Sequence, residues 1–156
     1  MALESYRTAG EEPLGARDRD TLLRGLADLA LLPSSLVSPQ ERSILDSMLA
    51  TLVARLDPRM RARLADRLSQ HVDTPRELAM ALALDEDMEI ARPLLAEGQT
   101  LKGGDLIHVA REGLAAHREV LAGRKDLPSA VSDVLIEMGD AGLICKLLEN
   151  RTSQLS

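Results

Sequence analysis

Few side chains in this sequence have the types and spacing that chemistry requires. His108 and Glu112 are four residues apart, which puts both on one face of a helix, and His117 falls on what reads as the next helix. Two imidazoles and a carboxylate are the nearest approach here to a metal set. All three residues equally suit solvated or hydrogen-bonded surface positions, and no metal ligand is assigned from them. Cys145 is the single cysteine. With no activating base or positive site identified beside it, it reads as a small buried hydrophobe between Ile144 and Leu147. Gly103-Gly104 lacks the terminal Lys-Ser/Thr and the strand context of a phosphate-binding loop, and reads as a turn. With no nucleophile–base pair, metal set or cofactor loop, the sequence predicts a non-enzymatic protein with no catalytic residue and no cofactor.

Two groups of residues point instead to binding. Arg67, Arg92, Arg118 and Lys146 fall at similar places in what read as successive second helices of hairpins. If those helices stack, the four cations form a ladder that pairs with the carboxylates of an acidic or helical protein segment. The second group is Leu45, Met48, Leu49 and Leu52. The helices expected from Leu22 to Leu32 and from Ile44 to Leu56 carry more apolar surface than one small helical pair needs. They either cap the open end of the stack or pair with a second copy of the chain, a homodimer.

These residues must be positioned by helices. Leu22, Leu23, Leu26, Leu29 and Ala30 recur at helical spacing, and Pro33-Ser34-Ser35 ends the run. Ser38-Pro39-Gln40-Glu41 combines an N-cap serine, a proline at the first helical position and a glutamate at the third, a capping box ahead of a long amphipathic run. Asp57-Pro58 opens the next helix, about Arg59 to Gln70, and Thr74-Pro75-Arg76-Glu77 repeats the capping box. Three two-helix phrases follow, and Pro93 is expected to bend or loosen the helix from Met88 to Glu97. Leu68, Leu95, Leu121 and Leu148 are separated by 27, 26 and 27 residues. A period of that length signals stacked hairpins, each too short to bury its apolar face alone.

Composition agrees. The chain of 156 residues is 45% hydrophobic but 1% aromatic, and its wealth of Leu and Ala favours helix over sheet. The net charge is −6. Residues 1–74 carry 10 basic and 11 acidic groups and residues 75–156 carry 9 and 14, which opposes a general affinity for nucleic acid. One cysteine, no long apolar run and the start Met1-Ala2-Leu3-Glu4 point to a cytoplasmic protein with no membrane partner.

The capped segment from Ser38, Leu56-Asp57-Pro58 through Arg63-Leu64-Ala65-Asp66-Arg67-Leu68, Thr74-Pro75-Arg76-Glu77-Leu78 and Glu89-Ile90-Ala91-Arg92-Pro93-Leu94-Leu95 together resemble the bacterial family called domain of unknown function 2336. The resemblance runs from about Asp18 to Asn150. It implies a fold similar to HEAT-like and leucine-rich-variant repeats, and no activity. Repeat hydroxylases of the deoxyhypusine type need His-Glu dipeptides, which are missing here. Iron–sulfur and DNA-glycosylase variants need several cysteines, or aromatic and basic residues. The expected fold is therefore all-α, a short right-handed α-solenoid of HEAT-like hairpins with an N-terminal helical cap. Residues 1–17 form a flexible arm. Residues 18–150 form one domain, with N-terminal helices over 18–74 and three hairpins over 75–150, and residues 151–156 form a frayed tail. The expected function is a regulatory protein-interaction or adaptor module; a small-ligand or metal-binding sensor using the His108/Glu112/His117 region is the alternative.

Overall fold

Several helix starts in this chain are set by residues whose side chains accept from the first free backbone N–H groups, as the computed structural model shows. It describes residues 15–33 and 35–150. The expected arm up to residue 14 and the tail 151–156 lie outside the described residues. Within them are nine α-helices and no strand. The first, α1 (Ala16–Ala30), begins slightly before the expected boundary at Asp18. α2 (Pro39–Val53) has the expected capping box: Glu41 N–H donates to Ser38 Oγ at 3.3 Å and Ser38 N–H donates to the Glu41 carboxylate at 2.8 Å. That pair also holds the Glu41 carboxyl below its ordinary pKa. α3 (Pro58–Ser69) is capped by Asp57, which accepts from Met60 N–H.

At α4 (Arg76–Ala83) the expected capping box is replaced. The Thr74 hydroxyl turns back to the α3 end, donating to the Leu68 carbonyl at 2.8 Å. The buried Asp46 carboxylate reaches across from α2 and accepts from Glu77 N–H at 2.9 Å and Leu78 N–H at 2.8 Å. A carboxylate binds amide N–H groups more strongly than a hydroxyl does, so the neighbouring helix supplies the cap. The remaining helices are α5 (Met88–Ala96), α6 (Gly103–Glu112), α7 (Ala115–Ala122), α8 (Ser129–Met138) and α9 (Ala141–Glu149). α5 continues through Pro93. Gly103 and Gly104, expected as a turn, form the first turn of α6.

The helices pack in two rows. α1, α3, α5, α7 and α9 each contact the next in that order, α2 packs on α4, and α6 on α8. α4 lies against α5, α6 against α7 and α8 against α9. Leucines such as Leu64, Leu82, Leu94 and Leu121 fill the space between the rows, each worth about 1.5–3 kcal/mol on burial. Ala65, Ala79, Ala91 and Ala110 are fully buried where helices approach closely. Two expectations fail at the last helix. Leu148 is 65% exposed, and Leu147, at 1%, takes the buried position, because Leu143 and Leu147 are the four-residue pair that faces α7. Cys145 is exposed on the opposite side of the same helix.

Polar side chains link segments 26 to 29 residues apart in sequence. Thr100 donates to the His71 carbonyl at 3.0 Å. The buried Arg124 donates to the Leu95 and Gly98 carbonyls at 2.9 and 2.7 Å, and Asn150 to those of Ala122 and Arg124 at 2.9 and 2.6 Å. The acceptors lie in the last turn of a helix or in the residues just after it, where backbone carbonyls lack partners within the helix.

Candidate interaction surfaces

The four cations expected to form a ladder do lie on successive members of one row: Arg67 on α3, Arg92 on α5, Arg118 on α7 and Lys146 on α9. Their register is uneven. Arg92 and Arg118 are 26 residues apart and occupy matching places, but the same step lands on Asp66 in α3 and Ile144 in α9. Arg67 stands 3.9 Å from Asp28 of α1, with both side chains at least half exposed, a separation and exposure at which an ion pair contributes little. Arg118 turns inward and donates to the Ala110 and Gly113 carbonyls at 3.2 and 2.8 Å, closing the end of α6. Arg118 and Lys146 nevertheless line one concavity of about 470 Å³ between α7 and α9, together with Glu119 and Asp140.

His117 is held differently from an open ligand. It is buried, its Nδ1 accepts from Leu114 N–H at 3.1 Å, and its Nε2 faces the Asp85 carbonyl at 2.9 Å. An Nδ1 that accepts leaves the ring proton on Nε2, which donates to Asp85. Both nitrogens are thus engaged by backbone, while His108 and Glu112 are exposed on α6. Among the described residues no group of three or more His, Cys, Asp or Glu side chains is placed to hold a metal ion.

Asp85 is a node with no signature in the local sequence. Its carboxylate pairs with Arg61 of α3 and its carbonyl receives His117 of α7, so the turn before α5 links three neighbours in one row. A second buried carboxylate, Asp105 in the first turn of α6, accepts from Arg76 Nε at 2.7 Å and from Lys102 N–H at 3.1 Å. Burial alone pushes its pKa up. The Arg76 hydrogen bond, the Lys102 N–H and the charges of Arg76 and His108 outweigh that and hold it below the ordinary carboxylate value.

The apolar group on α2 divides in two. Leu49 is 3% exposed and belongs to the core, Leu45 is half-buried, and Met48 and Leu52 are 63% and 46% exposed. Ile44, at 62%, and Leu29 of α1, at 45%, extend this outer surface. Leu26, Leu29, Leu45, Met48 and Leu52 line an apolar groove of about 550 Å³ between α1 and α2, with Arg55 at its edge. The signal in the sequence was the width of the run: Ile44, Leu45, Met48, Leu49, Leu52 and Val53 span more of the helix than one neighbour covers.

The described chain is thus all-helical, two rows of short helices with polar and apolar surfaces. Residues 90–156 match the family described as an uncharacterised protein conserved in bacteria, domain of unknown function 2336, as the resemblance implied. That match runs from within α5 through α9 and covers less than half of the chain. No curated protein and no solved structure matches it. No described helix is long and apolar enough to cross a membrane.

Proposed function

We propose that the chain is a non-enzymatic protein-interaction or adaptor module, built as a short right-handed α-solenoid of HEAT-like hairpins, whose α3–α5–α7–α9 row receives an acidic or helical segment of a regulatory partner. Two features support the solenoid reading: each helix of that row contacts the helix two places on, and side chains bridge hairpins at separations of 26 to 29 residues. The observation that carries the binding reading is the concavity between α7 and α9, which Lys146 and Arg118 line together with Glu119 and Asp140, while Arg92 is exposed on α5, the preceding helix of the row. Arg92 and Lys146 make no ion pair among the described residues, which leaves their charge for a partner's carboxylates.

The structure changes which variants test this. Arg118 closes the end of α6, so replacing it weakens the fold as well as the surface. Arg92→Glu and Lys146→Glu change exposed charges. Affinity purification from the native cell at near-physiological salt, followed by mass spectrometry, should find a protein retained by the wild-type chain and lost by the double variant. Retention of nothing, or equal retention by both chains, would sink the reading.

A further inference from the structure

We propose that α2 pairs antiparallel with α2 of a second copy of this chain, across a two-fold axis beside Met48. Residues on an α-helix advance about 100° each, so Glu41, Ile44, Leu52 and Arg55 all lie within about 40° of Met48 around α2 and its final turn. Asp46, which caps α4, lies about 160° away on the same scale. The stripe therefore points off the free end of the α2–α4 packing, where no described helix covers it.

The stripe is self-complementary in both shape and charge. Ile44 and Leu52 are each four residues from Met48, and Glu41 and Arg55 are each seven. In a two-fold antiparallel pairing, residues equally far either side of the axis meet. Met48 then packs on Met48, Ile44 on Leu52, and Glu41 of each copy faces Arg55 of the other. Arg55 already sits at the rim of the apolar groove beside Met48 and Leu52. A self-complementary patch is what an isologous dimer requires. An acidic segment, as proposed for the other row, would leave the apolar centre unmatched and would meet a glutamate at one end. The proposal is independent of the adaptor reading, which rests on Arg92 and Lys146.

The test is the mass of the full chain in solution by light scattering and sedimentation at micromolar to tens of micromolar concentration. The wild type is expected at twice the chain mass. Met48→Glu, at a site 63% exposed, should keep the helical circular dichroism and unfolding midpoint while weakening self-association about 30-fold or more. Arg55→Glu, and Glu41→Arg, which also gives up the hydrogen bond from Ser38 N–H, should each weaken it about tenfold at low salt by placing like charges together. An equal mixture of those two variants should recover dimer, because both of its cross-contacts again join opposite charges. A monomeric wild type, or a dimer indifferent to Met48→Glu, overturns the proposal. A dimer broken by Met48→Glu but with no recovery in the mixture overturns the antiparallel geometry.

Discussion

Helices α2 and α4 open on closely similar residues, Ser38-Pro39-Gln40-Glu41 and Thr74-Pro75-Arg76-Glu77, but their first N–H groups find different partners. At α2 the serine and glutamate serve each other across one exposed turn. At α4 the threonine is drawn away to the α3 carbonyls and Asp46 takes its place from another helix. The difference lies in burial. Thr74, Pro75 and Leu78 are buried, so water cannot satisfy that end, and a donor left unpaired there costs more than at the surface. A local cap suffices where solvent assists, and a charged cap from a neighbour is used where it does not.

The sharpest way to break this comparison is Asp46→Ala. It removes one carboxylate from two N–H groups, one of them buried, and should cost about 3 kcal/mol in urea unfolding. Asp46→Asn keeps one acceptor and should recover part of the loss. Ser38→Ala removes only the exposed local cap and should cost about 1 kcal/mol. Equal costs for Asp46→Ala and Ser38→Ala would mean that the distant carboxylate is no stronger a cap than the local hydroxyl.

The smallest expected effect concerns α6, where Asp105 accepts from Lys102 N–H at the start of its own helix and from the Arg76 guanidinium of α4. The Asp105 pKa is lowered in the folded chain. Its contribution is therefore present above the unfolded carboxylate value of about 3.9, and is lost as pH falls through the lower folded value. Arg76 is largely exposed, so the gain is screened and modest. Urea midpoints of wild type and Arg76→Ala should differ at pH 6 and converge in acid. A difference that persists unchanged to the lowest pH would show that the pair contributes nothing through charge.

Helix positions were legible because their signals are local. Ser38-Pro39 and Asp57-Pro58 stand at helix starts in the structure, and Leu68, Leu95 and Leu121 are fully buried. The period slipped at its last member because one residue along a helix turns a side chain by about 100°, so Leu147 and Leu148 face different surroundings. That same angle makes the register of the cations uneven: similar places in sequence became matching places only for Arg92 and Arg118. The apolar excess on α2 was visible, but which leucines were surplus was not. Leu49 and Leu52 are the same residue type three positions apart, and only the packing of α1 and α4 against α2 decides which is buried.

The amino-acid sequence by itself determined that the chain is helical and where most of its helices begin. These follow from propensity, capping and spacing, which act within a few residues or repeat along the chain. The tertiary structure alone decided that Asp46 caps α4, that both nitrogens of His117 are engaged by backbone, and that Met48 and Leu52 are left on the outer side of α2. Each depends on which groups from distant parts of the chain arrive within hydrogen-bonding or van der Waals reach, and that distance is not written in any local pattern.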